Sequence, residues 1–394
     1  MEYDFSTALS AMTGTATRDI FKLLARPEVI SFAGGLPAND ALPIKLVGEI
    51  TQEIFADPAQ AKGCLQYGQT EGYPGFRETI IDLVADSGFS GLTPENVVVT
   101  AGGGQGLDLL CKAFLDKGDV VLVENPTFIG FLQTLNSYNA KTIGIDEDGE
   151  GINLDDFEAK LKKYSPKFVY LIPTFSNPTG KTYPLEKRLA VIELAKKNKT
   201  IIVEDDPYGR LRFSGEPVPP IASLDKDGVV VYVSSFSKTV APGLRTGFAV
   251  GPADIIRKMV IGKQNVDLHT SCLPQMIIKN YIEKGYFLPN IEKSIPIYRD
   301  RKNAMMECIE KYMPKSFHPT DPDGGLFIWG EFDSPVDTVE MFPAAVAANV
   351  AYIQGSLFYP DGSGRNTLRL NYSNESPERI EEGISLLGKV FSEK

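Results

Sequence analysis

Between residues 95 and 250 the chain alternates short, strongly apolar runs with helix-like segments, and this rhythm limits the folds open to it. The runs are VVVTAG from 97, DVVLVEN from 119, KFVYLIP from 167, TIIVEDD from 200, VVVYVSS from 229 and GFAVG from 247. They are rich in Val and Ile and apolar at successive positions, so both faces need cover. That predicts parallel strands with helices on either side. The intervening segments GQGLDLLCKAFLDKG and YPLEKRLAVIELAKKNK carry apolar residues at helical spacing and close on Lys or Gly. The expected class is α/β, with a mostly parallel central sheet. Near Pro289 and Pro296 the pattern changes: a helix IYRDRKNAMMECIEKYM leads into GGLFIWGEF and NTLRLNYS, an α+β tail. Three parts are expected: an N-terminal segment over 1–45 that joins the small domain and covers the site, a large domain over 46–288, and a small domain over 289–394.

Composition narrows the function. A chain of 394 residues, 43% hydrophobic and 23% charged, has material for two domains and a substantial core. The net charge of −11 and the lack of a Lys/Arg block argue against nucleic acid as a partner. The N-terminus MEYDFSTALSAMTG shows neither a basic n-region nor a long apolar run, so no leader or membrane anchor is indicated and the cytoplasm is the expected location. Cys64, Cys111, Cys272 and Cys308 lack paired spacing and read as free thiols. With only His269 and His318 available, no metal site is expected.

In open α/β sheets ligands gather beyond the C-terminal ends of the strands, so polar residues directly after apolar runs are the candidates. Lys238 follows VVVYV within SSFSKTVAPGLR. A lysine whose pKa is depressed can hold an aldehyde reversibly as an imine. The hydroxyls of Ser234, Ser235 and Ser237 with Arg245, the last brought back by a Pro-Gly turn, would form a phosphate cup beside it. A surface lysine is the alternative, which the Pro-Gly-x-Arg continuation disfavours. Asp205 after TIIVE could face a ring nitrogen or simply cap a turn. Tyr208 and Asn177 could hydrogen-bond a ring oxygen, although N-P-T-G is also a good turn. The stretch TAGGGQGLDLL, with Gly103, Gly104 and Gln105, opens a helix whose first N–H groups can meet a phosphate.

Nine segments in order, namely ISFAGGLP, LQYGQTEGYPGFRE, VTAGGGQGLDLL, VENPTFIGF, PTFSNPTG, VEDDPYGRLRF, SSFSKTVAPGLRTGF, GGLFIW and LRLNYS, make the chain resemble the class I/II aminotransferases of fold type I, in the aminoadipate and kynurenine aminotransferase branch. The resemblance implies pyridoxal 5'-phosphate as cofactor, Lys238 as its Schiff-base lysine, and Asp205 at the pyridine nitrogen. It further implies Asn177 and Tyr208 at the ring oxygen, Phe128 stacked on the ring, and Ser235, Ser237, Arg245 and the Gly103–Gln105 turn at the phosphate. Arg369 would grip the substrate α-carboxylate, with Gly34 and Gly35 in the covering segment and Arg18 toward the distal end. Tyr67 would reach the phosphate of a partner subunit, which implies a homodimer. Two departures stand out: Gly103 and Gly104 replace the Ser and Gln of the branch's S-Q-Q turn, which implies weaker cofactor retention or a shifted phosphate, and Phe128 replaces a commoner Tyr.

The implied activity is ping-pong transfer of an amino group from an L-amino acid of aminoadipate, aromatic or branched-chain type to a 2-oxo acid, commonly 2-oxoglutarate. A C–S β-lyase is the alternative, because the same cofactor site can eliminate a β-substituent. A transcriptional effector domain of the same fold is disfavoured by the short stretch before ISFAGG. The residues do not rank the donors: Phe21, Leu24 and Leu36 suggest an apolar pocket, whereas Arg18 favours a second carboxylate.

Overall fold

The computed structural model describes residues 3–11, 26, 28–333 and 336–392. The strands are β1 (Ile30–Ser31), β2 (Val97–Thr100), β3 (Val120–Asn125), β4 (Lys141–Asp148), β5 (Gly151–Ile152), β6 (Phe168–Leu171) and β7 (Ile201–Asp205), then β8 (Val230–Ser235), β9 (Gly247–Val250), β10 (Phe317–Pro319), β11 (Phe327–Phe332), β12 (Val350–Ala351), β13 (Ile353–Gln354) and β14 (Thr367–Asn371). Eight of them form one sheet in the order β2-β9-β8-β7-β6-β3-β4-β5. All six apolar runs became strands of this sheet.

One run departs from the expected direction. The neighbours from β8 through β7, β6 and β3 to β4 are parallel, but β9 is antiparallel to both β8 and β2. A parallel return needs a crossover of a dozen or more residues, usually a helix. The segment 236–246 holds only the one-turn helix Pro242–Leu244, so the chain folds straight back. Strand β4 escaped notice in the sequence because KTIGIDED is polar at most positions, with Ile145 its one fully covered residue.

Alternation along the strands feeds the two faces of the sheet. Val121, Val123, Phe168, Tyr170, Val203 and Val233 share one core with the helices Gly103–Phe114 and Ile129–Ser137. Leu122, Val169, Leu171 and Ile202 point the other way, toward the helices Leu154–Tyr164 and Leu185–Lys197. Each such side chain, removed from water, contributes on the order of 1.5–3 kcal/mol.

The C-terminal part forms a second sheet, β10-β11-β14-β13, and Ile30, Phe32 and Ala38 from the N-terminal stretch pack into the same core as Phe327 and Leu370. The change of pattern near Pro289 and Pro296 falls inside a continuous element: one helix, Phe287–Tyr312, runs through both. Pro289 lies in the first turn, where no helical bond is lost, while Pro296 forfeits one interior bond. The helix persists because both ends are anchored. Phe287 and Ile291 pack with Phe236 and Phe248 of the large-sheet side, and Tyr298, Met305 and Ile309 pack in the C-terminal core.

Candidate active site

Beyond the C-terminal ends of β6, β7 and β8 lies a cavity of about 330 Å³ that gathers most of the residues singled out from the sequence. Lys238 sits in the loop after β8, held by the buried Phe236 and Val240 on either side. Its Nζ donates to the Gly35 carbonyl at 2.5 Å, which ties the N-terminal stretch over the site. Burial brings the amine down to about 8, with the positive charges of Arg369 and Arg245 adding to the effect. About a tenth of the amine is therefore neutral at pH 7, far more than for an ordinary lysine, which favours its use as a nucleophile.

On one side of Lys238 the chain builds an anion cup. Ser235 Oγ donates to Ser237 Oγ at 2.8 Å and accepts the Ser237 N–H at 3.1 Å. Arg245 adopts a left-handed conformation, φ 48°, and donates to the Ala101 carbonyl at 3.1 Å. The approach of these segments depends on two glycines. A Cβ on Gly102, itself at φ 85°, would stand 2.6 Å from the Arg245 guanidinium, and one on Gly247 would stand 2.7 Å from both Gly102 C and the Ser234 carbonyl. Gly103 and Gly104 begin the helix Gly103–Phe114 at the cavity wall, where its first N–H groups and dipole favour an anion.

Gln105, expected at the phosphate, turns elsewhere. Its Oε1 accepts the Ala101 N–H at 2.8 Å and Lys263 Nζ at 2.9 Å, and its Nε2 donates to Asp267 at 2.7 Å. The helical turn sends this side chain under the loop, where it braces the backbone rather than facing the cavity.

Asp205 ends β7 at the cavity, buried, with its pKa pushed up to about 7 by desolvation. Tyr170 Oη donates to its Oδ2 at 2.6 Å, a partner the sequence reading missed because Tyr170 looks like core within KFVYLIP. Asn177 and Tyr208 hydrogen-bond to each other in the cavity lining, with Tyr208 edge-on to Phe327 at 5.7 Å. Phe128 lines the cavity, its ring folded over Gly130, where a Cβ would come within 2.5 Å.

Arg369, on β14, reaches the cavity from the second sheet and is 4% exposed. It donates to Asn177 Oδ1 and to the Ala33 carbonyl, each at 2.7 Å, and its guanidinium lies over the Phe327 ring at 4.1 Å. Its buried Nε has no partner among the described residues. A planar cation with a spare donor suits a carboxylate. Gly34, Gly35 and Leu36 complete the rim, and Leu107, Ile129, Ile172, Phe327 and Ile353 form apolar walls that the sequence did not identify. Their only signal was ordinary hydrophobicity.

Two expected residues stand apart. Tyr67 lies outside the cavity, 79% exposed, with its ring edge-on to His269. Arg18, with Phe21 and Leu24, falls outside the described residues.

The model of the family "Aminotransferase class I and II" matches residues 28–387. The chain belongs to the class I and II aminotransferases. It is 39% identical to aromatic-amino-acid aminotransferase 1 of Thermococcus litoralis over 99% of this chain and 94% of that protein. It is 35% identical to the 2-aminoadipate transaminase of Thermus thermophilus, over 98% and 96%. The crystal structure of Pyrococcus horikoshii kynurenine aminotransferase superposes with a TM-score of 0.94 at 38% identity, covering 99% of this chain and 97% of that one. The enzyme is thus a fold-type I transferase of amino groups that depends on pyridoxal phosphate. Among the described residues no helix is long and apolar enough to cross a membrane.

Proposed function

We propose that the enzyme moves the amino group of an L-amino acid to a 2-oxo acid in two successive half-reactions, with Lys238 both anchoring the cofactor and moving the proton. The observation that carries this reading is the placement of Lys238: a buried amine with a pKa near 8, bordering one cavity with a buried carboxyl group, a cup of hydroxyls and guanidinium suited to an anion, and the buried Arg369. These groups match the three ends of pyridoxal phosphate. Lys238 would meet the aldehyde, Asp205 the ring nitrogen, and Gly103, Gly104, Ser235, Ser237 and Arg245 the phosphate. When bound, the cofactor supplies an electron sink for the negative charge that develops at the substrate α-carbon.

The chain's own residues do the rest. Arg369 orients the substrate through its α-carboxylate, and Lys238 Nζ takes the α-proton as a general base. Asn177 and Tyr208 would hold the ring oxygen, Phe128 would cover the ring, and the Gly34–Gly35 stretch would exclude water from the site. Gln105 acts only by bracing the turn. Release of the first oxo acid before the second binds gives ping-pong kinetics.

The apolar walls formed by Leu36, Ile129, Phe327 and Ile353 support aromatic and branched-chain donors, and the relatives named for aminoadipate extend the range to a second carboxylate. We take 2-oxoglutarate as the acceptor. The exposed Tyr67, with Leu65, Val266 and Leu268 also exposed, supports a homodimer in which Tyr67 reaches the partner's cofactor. The division at residues 45 and 288, and a cytoplasmic location, belong to the same reading.

The test is the visible spectrum of the purified wild-type enzyme and of Lys238→Ala, with single amino acids and no oxo acid. Conversion of the bound cofactor to pyridoxamine phosphate in the wild type alone is expected, and the amino acids that cause it define the donors. Accumulation of pyruvate without conversion would make the enzyme a β-lyase instead.

A further inference from the structure

Three buried carboxylates near the C-terminal edge of the large sheet each accept a hydrogen bond from a buried tyrosine. Glu124 accepts from Tyr183 at 2.6 Å, Asp206 from Tyr232 at 3.0 Å, and Asp205 from Tyr170 at 2.6 Å. They differ in their remaining partners. Glu124 also takes the Ile172 N–H and Asp206 the Gly209 N–H, whereas among the described residues Tyr170 is the single hydrogen-bond donor to the Asp205 side chain. Asp205 is also the one of the three that borders the active-site cavity.

The sheet register explains how the pair forms. Tyr170 on β6 lies beside Val203 on β7, so two residues further along β7 the Asp205 side chain emerges on the same face. The Tyr170 ring is fully buried and packs against Phe131 with centroids 4.2 Å apart, which holds the hydroxyl in place from behind. On the Tyr170 side this packing leaves no room for a water.

We propose that Tyr170 is a positioning residue that keeps Asp205 an oriented carboxylate and thereby sets how strongly the site favours a protonated ring nitrogen in the cofactor. The inference rests on the assignment of Asp205 to that nitrogen. With Asp205 at that nitrogen, one proton would be shared between its carboxyl and the pyridine. A phenol donating to Oδ2 stabilises the carboxylate, so the proton moves to the ring nitrogen. Without the hydroxyl, desolvation favours the neutral carboxyl, and the proton returns to Asp205. Among the groups acting on Asp205, burial and the charge of Asp206 raise its pKa, and the Tyr170 hydrogen bond opposes them.

The experiment compares the affinity of the stripped enzyme for pyridoxal phosphate with that for 1-deazapyridoxal phosphate, whose ring carries carbon in place of nitrogen, in wild type, Tyr170→Phe, Asp205→Asn and the double variant. A hydrogen bond to a charged group corresponds to roughly a ten- to hundredfold effect. The wild-type preference for the nitrogen-bearing cofactor should fall by about that factor in Tyr170→Phe, and Tyr170→Phe should change nothing further in the Asp205→Asn background. The ¹⁵N shift of the labelled ring should move toward the unprotonated value in Tyr170→Phe. Equal loss of affinity for both cofactors, or an unchanged ratio, overturns the role of Tyr170. A wild type with no preference overturns the assignment of Asp205 and this inference with it. If Tyr170→Phe does not fold, Tyr170→3-fluorotyrosine keeps ring and hydroxyl with a more acidic donor. The preference then rises if the bond acts on Asp205, and an unchanged preference refutes it.

Discussion

Arg369→Met separates binding from stability in a way that follows from where the guanidinium lies. Arg369 is a buried cation with no carboxylate within salt-bridge distance among the described residues, and burial drops its pKa from 12.5 to about 10. Carrying that charge costs the folded chain roughly 3 kcal/mol near neutral pH. Methionine of similar length removes this penalty and the unpartnered Nε, but it strips hydrogen bonds from Asn177 Oδ1 and the Ala33 carbonyl. Each acceptor left unsatisfied costs about 1–3 kcal/mol. The two effects nearly cancel, so the melting temperature of the variant should stay within a few degrees of wild type. Substrate recognition has no such compensation. Loss of a two-pronged, desolvated guanidinium–carboxylate contact costs on the order of 2–5 kcal/mol. At about 1.4 kcal/mol per decade, kcat/KM should fall by roughly thirty- to several-thousand-fold, with the cofactor still bound. Calorimetry and steady-state kinetics on the same preparation test both halves. A fall in melting temperature of more than about 10 °C, with kcat/KM within tenfold of wild type, would refute the reasoning, because Arg369 would then be structural.

Three further outcomes are expected. Gly247→Ala drives a Cβ into the Gly102 and Ser234 backbone, so it should destabilise the fold by about 1–3 kcal/mol and loosen pyridoxal phosphate, read by denaturant melts and cofactor dialysis. Gly103→Ser meets nothing closer than Ser235 Cβ at 3.8 Å, so its hydroxyl can join the anion cup and should tighten cofactor binding by roughly two- to tenfold; weaker binding would contradict the cup's placement. The third concerns pH. Burial lowers Lys238 to about 8, so between about pH 8 and 10.5 the unfolded apoprotein carries a proton that the folded one lacks. Stability from this group therefore rises with pH across that window, and below it the full penalty of roughly 3 kcal/mol applies. Urea melts of apo wild type and Lys238→Met should differ by this slope; parallel profiles would show that the amine is not desolvated.

Polar residues that line the cavity were legible in the sequence where they come soon after an apolar run. Asp205 and Lys238 stand out because strand ends of an open sheet are where backbone alternation stops and side chains turn toward a common crevice. Arg245 was legible for a local reason, since a Pro-Gly turn brings it back over a short loop. The α/β class followed from runs too apolar to expose either face, and no tertiary contact was needed to see it.

Other features were decided only when the chain closed on itself. The reversal of β9 depends on the absence of room for a crossover between β8 and β9, a property of loop length that apolarity does not encode. The Tyr170–Asp205 bond depends on register between β6 and β7, and Tyr170 is indistinguishable in sequence from any buried aromatic. Gln105 shares its motif with Gly103 and Gly104, yet the helical rotation carries its side chain to Lys263 and Asp267, beneath the turn rather than into the site. Arg369 and the Ala33–Leu36 stretch lie at opposite ends of the chain, and packing in the C-terminal core brings them together over Lys238. Local sequence sets which groups are available for chemistry because reactivity belongs to residue type. Tertiary structure sets which of them meet, and with what pKa, because distance and burial belong to the whole chain.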